Sequence, residues 1–236
     1  MSVAPEIFFN YYDDQEYFEY ACRFVACYHE FPPGEPHTLT VIASGGLPGA
    51  RARVLFETIP GVRYVVTDDV GWDVGSFITA SKSSEADCGF YVGGCGYWRR
   101  PGVLARLAEA WRQFGPGIYG TLATFEMSPH INTSGFLAPP QLVASYPWPV
   151  TDRDSRYAFE WGRERALWRL ARAKGMPVKL VTWDGIYDPP RWRKPANIYR
   201  RGDQSNCLTY FRHSDEYECA GAQFRAMCER SADTLR

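Results

Sequence analysis

Three carboxylates and two glycines fall within nine residues, at positions 67–75, where a predicted strand ends. The five are Asp68, Asp69, Gly71, Asp73 and Gly75. A carboxylate on such a loop can accept hydrogen bonds from a base or a ribose, and glycine lets the backbone approach a ligand closely. A polar turn with a helix cap at Asp73 explains the same pattern. The local pattern is therefore consistent with two interpretations, a ligand site or a capped turn.

Two further polar or glycine-rich segments, residues 10–14 and 93–98, also follow predicted strands. In an α/β sheet the carboxyl ends of parallel strands lie at one edge, and ligands bind in the crevice there. We therefore expect these two segments and residues 68–75 to converge on one site.

The elements that must position these segments alternate between strand and helix along the chain. Strands are predicted at residues 7–9, 38–43, 62–67, 89–92, 118–124 and 178–183, and helices at residues 15–30, 75–81, 101–114 and 159–174. Asp13 or Asp14 is suited to cap the first helix, and Gly175 to end the last one. The alternation predicts an α/β fold, in which a mainly parallel central sheet is flanked by helices. Since no repeat or linker-like segment interrupts the pattern, we expect a single Rossmann-like domain over residues 1–236.

The composition excludes several classes of protein. No stretch approaches the roughly 20 apolar residues that a membrane helix needs, and residues 1–6 lack a secretory pattern, so we expect a cytoplasmic protein without a membrane span. With 26 basic and 27 acidic residues the net charge is −1, which argues against a nucleic-acid partner. The seven cysteines form no C-x-x-C pair and have no histidine at zinc-finger spacing, which predicts free thiols.

A series of short motifs follows in order along residues 6–185. They are Gly71-x-Asp73-Val74-Gly75, Ala86-Asp87, Gly117-Ile118-Tyr119-Gly120-Thr121, Asn132-Thr133-Ser134-Gly135-Phe136 and Tyr157-x-Phe159-Glu160-x-Gly162. In pattern and order they resemble the rhamnan-synthesis and family-two-like glycosyltransferases of the GT-A fold. The resemblance implies a nucleotide-sugar donor, linked to UDP, GDP or dTDP, held by about residues 1–120. It also implies a hydroxyl acceptor, such as a glycan, held by about residues 121–236.

The resemblance also implies roles for residues on the donor side. Tyr11 or Tyr12 and Asp13 would flank the nucleoside, and Asp73, with Asp69 on the same loop, would hold the base or the ribose. The resembled enzymes place an Asp-x-Asp motif after the fourth strand, where the carboxylates hold Mn²⁺ or Mg²⁺ against the diphosphate.

This chain instead has Gly-Gly-Cys-Gly-Tyr-Trp-Arg-Arg at residues 93–100. Arg99 and Arg100 could replace the metal, because guanidinium groups bind phosphate bidentately. The glycine run could instead offer backbone N–H groups to the diphosphate. In a third interpretation the chemistry is lost, which leaves a catalytically inactive nucleotide- or glycan-binding module. His130 is a weak candidate metal ligand, since a lone histidine beside Pro129 is more often an ordinary loop residue.

An inverting transfer needs a carboxylate base within hydrogen-bond reach of the acceptor hydroxyl. Glu160, expected at a helix start, is the first candidate, and Asp184 is the second. A glutamate in a first helical turn also interacts favourably with the helix dipole, which explains Glu160 without catalysis. On a tail loop, Asp203 and Gln204 could meet donor hydroxyls beside Arg200 or Arg201 on phosphate, although a solvated loop explains the same residues.

A different α/β enzyme, such as a methyltransferase, is a further alternative. Residues 93–96 would then form the cofactor loop. That fold places its glycine loop after the first strand and an acidic residue after the second. The first predicted strand here ends in Asn10-Tyr11-Tyr12, so the sequence favours the glycosyltransferase.

Overall fold

The first strand, β1 (Pro5–Tyr12), lies between two parallel neighbours in an eight-stranded sheet. The fold is that of a computed structural model, which describes residues 4–194 and 199–233. The other strands are β2 (Thr38–Ser44), β3 (Arg63–Thr67), β4 (Cys88–Val92), β5 (Ile118–Gly120), β6 (Ala123–Thr124), β7 (His130–Ile131), β8 (Gly135–Ala138), β9 (Val178–Val181) and β10 (Ile186–Tyr187). The helices are α1 (Gln15–Glu30), α2 (Ala50–Phe56), α3 (Trp72–Ser81), α4 (Val103–Phe114), α5 (Pro140–Ala144), α6 (Arg153–Trp161), α7 (Leu167–Ala173), α8 (Arg212–Cys219) and α9 (Ala222–Asp233), with a 3₁₀ turn at Pro189–Arg191.

The strand order is β10-β9-β5-β8-β4-β1-β2-β3. The pairs formed by β1, β2, β3 and β4 are parallel, as is the pair β5–β9. β8 runs antiparallel to both β4 and β5, and β10 runs antiparallel to β9. β6 and β7 form a separate two-stranded hairpin. The α/β fold with a mainly parallel central sheet is therefore confirmed.

Helices cover both faces of the sheet. Alternate residues of the central strands therefore enter two different cores. On one face Phe8 stacks on Tyr91, with ring centroids 5.0 Å apart, beneath α3, α6 and α7. On the other face Phe9 stacks on Phe24 of α1 at 3.9 Å. Burial on both faces explains why these strands are almost continuously apolar, as is usual for parallel sheets. Each aromatic pair contributes about 0.5–1.5 kcal/mol beyond its buried area.

The prediction of one helix over residues 159–174 is wrong. Asp152 caps α6 earlier in the chain, in a capping box with Ser155. Gly162 then leaves the helical conformation, at φ −57° and ψ 130°, and α7 begins after Ala166. Glu160 therefore lies in the last turn of α6, not in a first turn. The helix dipole disfavours a carboxylate there, so another interaction must stabilise it.

Other boundaries differ where local pattern is weak. The expected strand over residues 118–124 is divided between β5 and β6, and α3 begins at Trp72, before the predicted position 75. The motif at residues 132–136 runs into an antiparallel strand, β8, which was not predicted. Two helices, α8 and α9, occupy the irregular tail.

Several local predictions are confirmed. Asp14 caps α1, since its Oδ1 accepts a hydrogen bond of 2.8 Å from the backbone N–H of Tyr17. Gly175 follows α7 with φ +73°, a conformation that glycine adopts without strain. All seven cysteines are free thiols.

Within residues 4–194 and 199–233, no helix combines the length and apolar character that crossing a bilayer requires.

Candidate active site

A cleft of about 730 Å³ opens at the carboxyl ends of β1, β3 and β4. This is within the range of about 300–1,000 Å³ typical of small-molecule sites. Three strand-end segments form one wall, which we call the strand-end wall and define by the list that follows. It comprises Asn10, Tyr12, Asp14, Asp69, Trp72, Asp73, Gly93, Gly94 and Cys95. The three segments converge, as expected from their positions after parallel strands.

The opposite wall comes from the second half of the chain, and we call it the α6 wall. Its members are Thr124, Glu126, Met127, His130, Asn132, Ser134, Arg153, Arg156, Tyr157, Glu160 and Trp161. Residues of the tail, between 199 and 213, close a third side of the cleft. Of the predicted site residues, those that the described part of the chain brings together at the cleft are Tyr12, Asp69, Asp73, His130, Glu160 and Arg200.

The two glycines within residues 67–75 make room for the chain itself. A Cβ atom on Gly71 would lie 2.3 Å from the carbonyl oxygen of Val150, and one on Gly75 would lie 2.1 Å from that of Val70. Gly71 also has φ +79°. The expectation that these two glycines admit a ligand is therefore corrected, because backbone packing already requires them.

Trp72 follows Gly71 with φ +51°, a left-handed conformation that is uncommon outside glycine. Its ring lines the cleft and is 40% exposed. The turn places Asp73 in the first turn of α3, where Oδ1 accepts a hydrogen bond of 3.0 Å from the N–H of Val74. Asp73 is therefore not the helix cap, since that position belongs to Gly71.

Arg156 connects the two walls through its guanidinium group. Nε and Nη2 donate to Oδ1 and Oδ2 of Asp73, both at 3.1 Å. Nη2 also donates to Oγ1 of Thr133 at 2.9 Å, and Nη1 donates to Oε2 of Glu160. Four of the five N–H groups of the guanidinium are thus used. Burial lowers the pKa of Arg156, but Asp73 and Glu160 raise it further, so it lies above its ordinary value.

Glu160 is only 4% exposed. Its Oε1 accepts hydrogen bonds from the backbone N–H and from Oγ1 of Thr133, at 3.0 and 3.1 Å. Its Oε2 accepts the bond from Arg156, four residues earlier on α6. These donors offset the cost of burying a carboxylate near the negative end of a helix.

His130 lies beside Glu160 and is 3% exposed. Its Nδ1 is 2.5 Å from the carbonyl oxygen of Ser128, which can only accept, so Nδ1 carries the proton. Nε2 then holds a lone pair, 3.9 Å from Oε1 of Glu160. Burial lowers the pKa of His130 below 6.5, while Glu160 opposes the shift. The imidazole is therefore neutral at pH 7.

Two tyrosines that line the cleft, Tyr12 of the strand-end wall and Tyr17 of α1, remain protonated. Burial and the nearby Asp73 raise the pKa of Tyr12 above its usual range. Burial, with Cys95 and Asp73, raises the pKa of Tyr17 to about 12. Their hydroxyl groups are therefore neutral. The ring centroids of Tyr12 and Tyr17 lie 4.7 Å apart.

Two residues that were predicted to bind the donor do not line the cleft and instead connect elements of the fold. Tyr11 is 1% exposed, packs edge-on against Phe56, and donates to Oδ1 of Asp13 at 2.8 Å. Oδ2 of Asp13 accepts from the N–H of Gly49 at 3.0 Å. The pair therefore joins β1 to the start of α2, and Tyr12 is the tyrosine that reaches the cleft.

Arg99 and Arg100 also lie outside the cleft. Arg99 donates to Glu218 at 2.7 Å and to Asp215 at 2.9 Å, and its guanidinium lies 3.9 Å from the ring centroid of Tyr210. Arg100 lies over Trp183, at 5.8 Å. Arg99 therefore fastens the tail to residues 93–100.

The glycine run is only partly available for a ligand. The N–H of Gly93 donates to Ser134 at 3.1 Å, and that of Gly96 to Gly93 at 2.7 Å. Gly94 packs against the ring of Tyr17, where a Cβ atom would approach to 2.7 Å. Close packing therefore accounts for part of this glycine pattern.

Asp184, Asp203 and Gln204 stabilise loops outside the cleft. Asp184 accepts from Thr182 at 2.7 Å and from Tyr187 at 2.9 Å. Asp203 accepts from the N–H of Ser205 at 2.8 Å. Gln204 accepts from the N–H of Arg200 at 3.1 Å, in the turn that brings Arg200 to the cleft. Arg200 is itself paired there with Glu126 at 2.5 Å.

Arg156, which bonds Asp73 on one wall and Glu160 on the other, was not predicted from the sequence. A signal for it was present, because Arg156 and Glu160 stand four residues apart, a spacing that pairs side chains on one helix face. The signal was hidden because the helix was expected to begin at 159. Trp72, Arg153 and Arg212, which also line the cleft, were not singled out either.

The described residues do not fit a site for Mn²⁺ or Mg²⁺. Such cations take about six oxygen ligands. No group of three or more His, Cys, Asp or Glu side chains is arranged to hold a metal in residues 4–194 and 199–233. Asp73 and Glu160 already share a cation, Arg156, and His130 has one carboxylate at 3.9 Å.

No family model matches the chain, and no curated protein matches its sequence. Solved structures with some similarity include the mannosyltransferase PcManGT from Pyrobaculum calidifontis in complex with GDP-Man and Mn²⁺, at 11% identity and a TM-score of 0.48. That match covers 64% of this chain and 48% of the mannosyltransferase. Another is the galactosyltransferase LgtC in complex with donor and acceptor sugar analogs, at 12% identity and a TM-score of 0.44, with 59% of each chain covered. This chain thus spans about half the length of the first and 59% of the second, a likeness too distant to assign a function.

Proposed function

We propose that this chain is a GT-A-like glycosyltransferase that moves a sugar from a nucleotide-sugar donor to a hydroxyl group of a glycan. One observation carries the proposal. A cleft of small-molecule size has strand-end carboxylates on one wall and a buried carboxylate–histidine pair on the other, joined by Arg156. Glycosyl transfer needs two such sides, one for the donor and one for the acceptor hydroxyl.

On the strand-end wall, Asp69 is the carboxylate best suited to a ribose. It is exposed at the cleft, whereas both oxygens of Asp73 accept bonds from Arg156. Tyr12 and Trp72 offer rings to a base or a sugar. Asp73 then acts on the donor mainly through the position of Arg156.

Cationic groups for the diphosphate are available at the cleft without a metal ion. Arg153 and Arg212 line it. Arg153 makes no ion pair in residues 4–194 and 199–233, and Arg212 has two exposed partners, Glu16 at 3.1 Å and Glu216 at 3.8 Å. Exposed pairs are weak, so a diphosphate can displace these partners. Guanidinium groups at these positions would stabilise the charge that develops on the leaving group.

On the α6 wall, the acceptor hydroxyl would lie beside Glu160 and His130. Tyr157 and Trp161 stack there with ring centroids 4.2 Å apart, and both line the cleft. Flat aromatic faces suit the apolar face of a sugar ring. This arrangement supports a glycan as the acceptor.

A binding module without turnover is the second candidate. The hydrogen bonds from Arg156 to Asp73 and Glu160 favour it, because in a binding module neither carboxylate has to change its contacts. Turnover by the wild-type protein that is reduced in a Glu160→Gln variant, while donor binding persists, would exclude this module.

The first experiment is calorimetry with a panel of UDP-, GDP- and dTDP-linked sugars. We expect at least one donor to bind, and Asp69→Asn to weaken it about tenfold, the loss of one hydrogen bond to a charged group. Asp68→Asn is the matched control, since Asp68 is exposed on the same loop and does not line the cleft. Failure of every donor in the panel to bind would contradict the proposed function.

A further inference from the structure

We propose that Nε2 of His130, and not Glu160, accepts the proton of the acceptor hydroxyl. The proposal rests on the proposed glycosyl transfer and assigns the general base within it. Glu160 is then a positioning residue, because its own carboxylate lies beside the imidazole.

The lone pairs of Glu160 are largely occupied. A carboxylate has about four lone-pair sites. Oε1 uses two of its sites for Thr133, and Oε2 accepts from the guanidinium of Arg156. About three of the four lone-pair sites are therefore occupied, including both of those on Oε1. One site, on Oε2, is left for a further donor.

His130 has the opposite arrangement. The hydrogen bond from Nδ1 to the carbonyl oxygen of Ser128 fixes the tautomer, so Nε2 carries a lone pair and no proton. No hydrogen bond to Nε2 occurs within the described residues, and His130 lines the cleft. Nε2 lies 3.9 Å from Oε1 of Glu160, so an imidazolium formed at Nε2 would lie beside the carboxylate.

The charges around the imidazole match this role. Glu160 and Arg156 face it from α6, and Glu126 faces it from the loop between β6 and β7. Burial keeps the ring neutral before the reaction, and the Glu160 anion stabilises the imidazolium that forms. The ring centroid of Trp161 lies 5.6 Å from that of His130.

The step is a direct displacement. The acceptor oxygen forms a bond to the anomeric carbon, and the bond from that carbon to the diphosphate oxygen breaks with its electron pair. The nucleoside diphosphate leaves, and the proton of the hydroxyl passes to Nε2 and then to water. The product has the inverted anomeric configuration, because the attack and the departure occur on opposite faces.

The variants His130→Asn and Glu160→Gln separate the two assignments. The amide nitrogen of Asn can replace Nδ1 as donor to Ser128, but nothing replaces the lone pair of Nε2. We expect kcat to fall about 10²–10⁴-fold in His130→Asn, with KM for the donor within about threefold of the wild type. The acid limb of kcat/KM against pH should disappear in this variant. In Glu160→Gln the limb should persist at a lower pH, since the anion that favours the imidazolium is gone.

His29→Asn is the matched control, because His29 is exposed and bonds Thr58 far from the cleft. NMR of the ¹⁵N-labelled wild-type protein gives a measurement that needs no variant. It should find the His130 proton on Nδ1. A proton on Nε2 would overturn the assignment.

The failure of this inference is distinct from that of the proposed function. If no donor binds or turns over in the wild type, the proposed function itself fails. If turnover occurs but His130→Asn keeps kcat within about threefold and retains the acid limb, His130 is not the base. A product with retained anomeric configuration would also overturn the assignment.

Discussion

The two walls of the cleft are built in different ways. The strand-end wall presents exposed or partly exposed groups, Asp69 and Trp72, on a loop with two consecutive left-handed residues. The α6 wall presents Glu160 and His130, which are 4% and 3% exposed and fixed by hydrogen bonds. One wall can adapt to a ligand, while the other is preorganised. Preorganised groups contribute more to catalysis, because they need no rearrangement when charge develops.

Arg156 makes each wall depend on the other. It is the shared partner of Asp73 on α3 and Glu160 on α6, so a shift of either helix changes the position of both carboxylates. The difference between the walls can therefore be tested first at this residue.

Arg156→Ala should have the largest effect. It leaves two carboxylates without their cation, one of them almost fully buried. Removing one partner of a buried pair typically costs about 3–5 kcal/mol of unfolding free energy. Urea denaturation measures it, with Arg163→Ala as control, since Arg163 is exposed one residue after Gly162 and should cost under about 0.5 kcal/mol. Equal losses in the two variants would show that the ion pairs do not stabilise the cleft.

Gly71→Ala tests the strand-end wall by itself. The added methyl group meets the Val150 carbonyl oxygen at 2.3 Å, in addition to the left-handed strain at φ +79°. Gly61→Ala is the matched control, because Gly61 has φ +73° but no atom within 4 Å of the added group. The control should lose about 1–2 kcal/mol from strain alone. Gly71→Ala should lose about 1–3 kcal/mol more from overpacking.

A loss in Gly71→Ala no larger than in Gly61→Ala would mean that the turn before α3 can shift freely. Donor calorimetry on the same variants extends the comparison. Displacement of the α3 start should weaken donor binding in Gly71→Ala and leave it unchanged in Gly61→Ala.

The strand-end wall could be predicted from the sequence, and the α6 wall mostly could not. Residues 10–14, 68–75 and 93–98 follow strands, and the geometry of a parallel sheet brings such segments to one edge. Local pattern was enough for that step. The polar types of Tyr12, Asp69 and Asp73 then marked the site.

The α6 wall depends on long-range packing. Its helix begins at a capping box and ends at Trp161, before Gly162, while apolar periodicity alone favoured one longer helix. Glu160 was chosen through a resemblance, and its partners Thr133 and Arg156 come together only when β7, β8 and α6 pack. Arg99 shows the reverse case, because its partners are on α8, which the sequence did not predict.

The pH dependence of stability tests the burial of His130. Its pKa in the folded protein is below 6.5, the value for a free side chain, so the unfolded chain binds more protons near pH 6. The stability from the neutral ring is complete above about pH 6.5 and is lost as pH falls through the folded-state pKa. A tenfold difference in proton affinity between the folded and unfolded chains corresponds to about 1.4 kcal/mol. His130→Asn should flatten the fall in unfolding free energy between pH 7 and pH 5, and an unchanged slope would contradict the burial.

Arg99→Ala should have the smallest effect, and it bears on which arginines meet the donor. The ion pairs of Arg99 with Asp215 and Glu218 are partly exposed, so their loss should cost at most about 1 kcal/mol. Donor affinity should not change, because Arg99 does not line the cleft. Arg153→Ala is the counterpart and should weaken donor binding, since Arg153 lines the cleft without an ion pair in the described residues. The reverse result, with donor binding lost in Arg99→Ala and kept in Arg153→Ala, would return the diphosphate to residues 93–100 and make the strand-end wall the sole donor site.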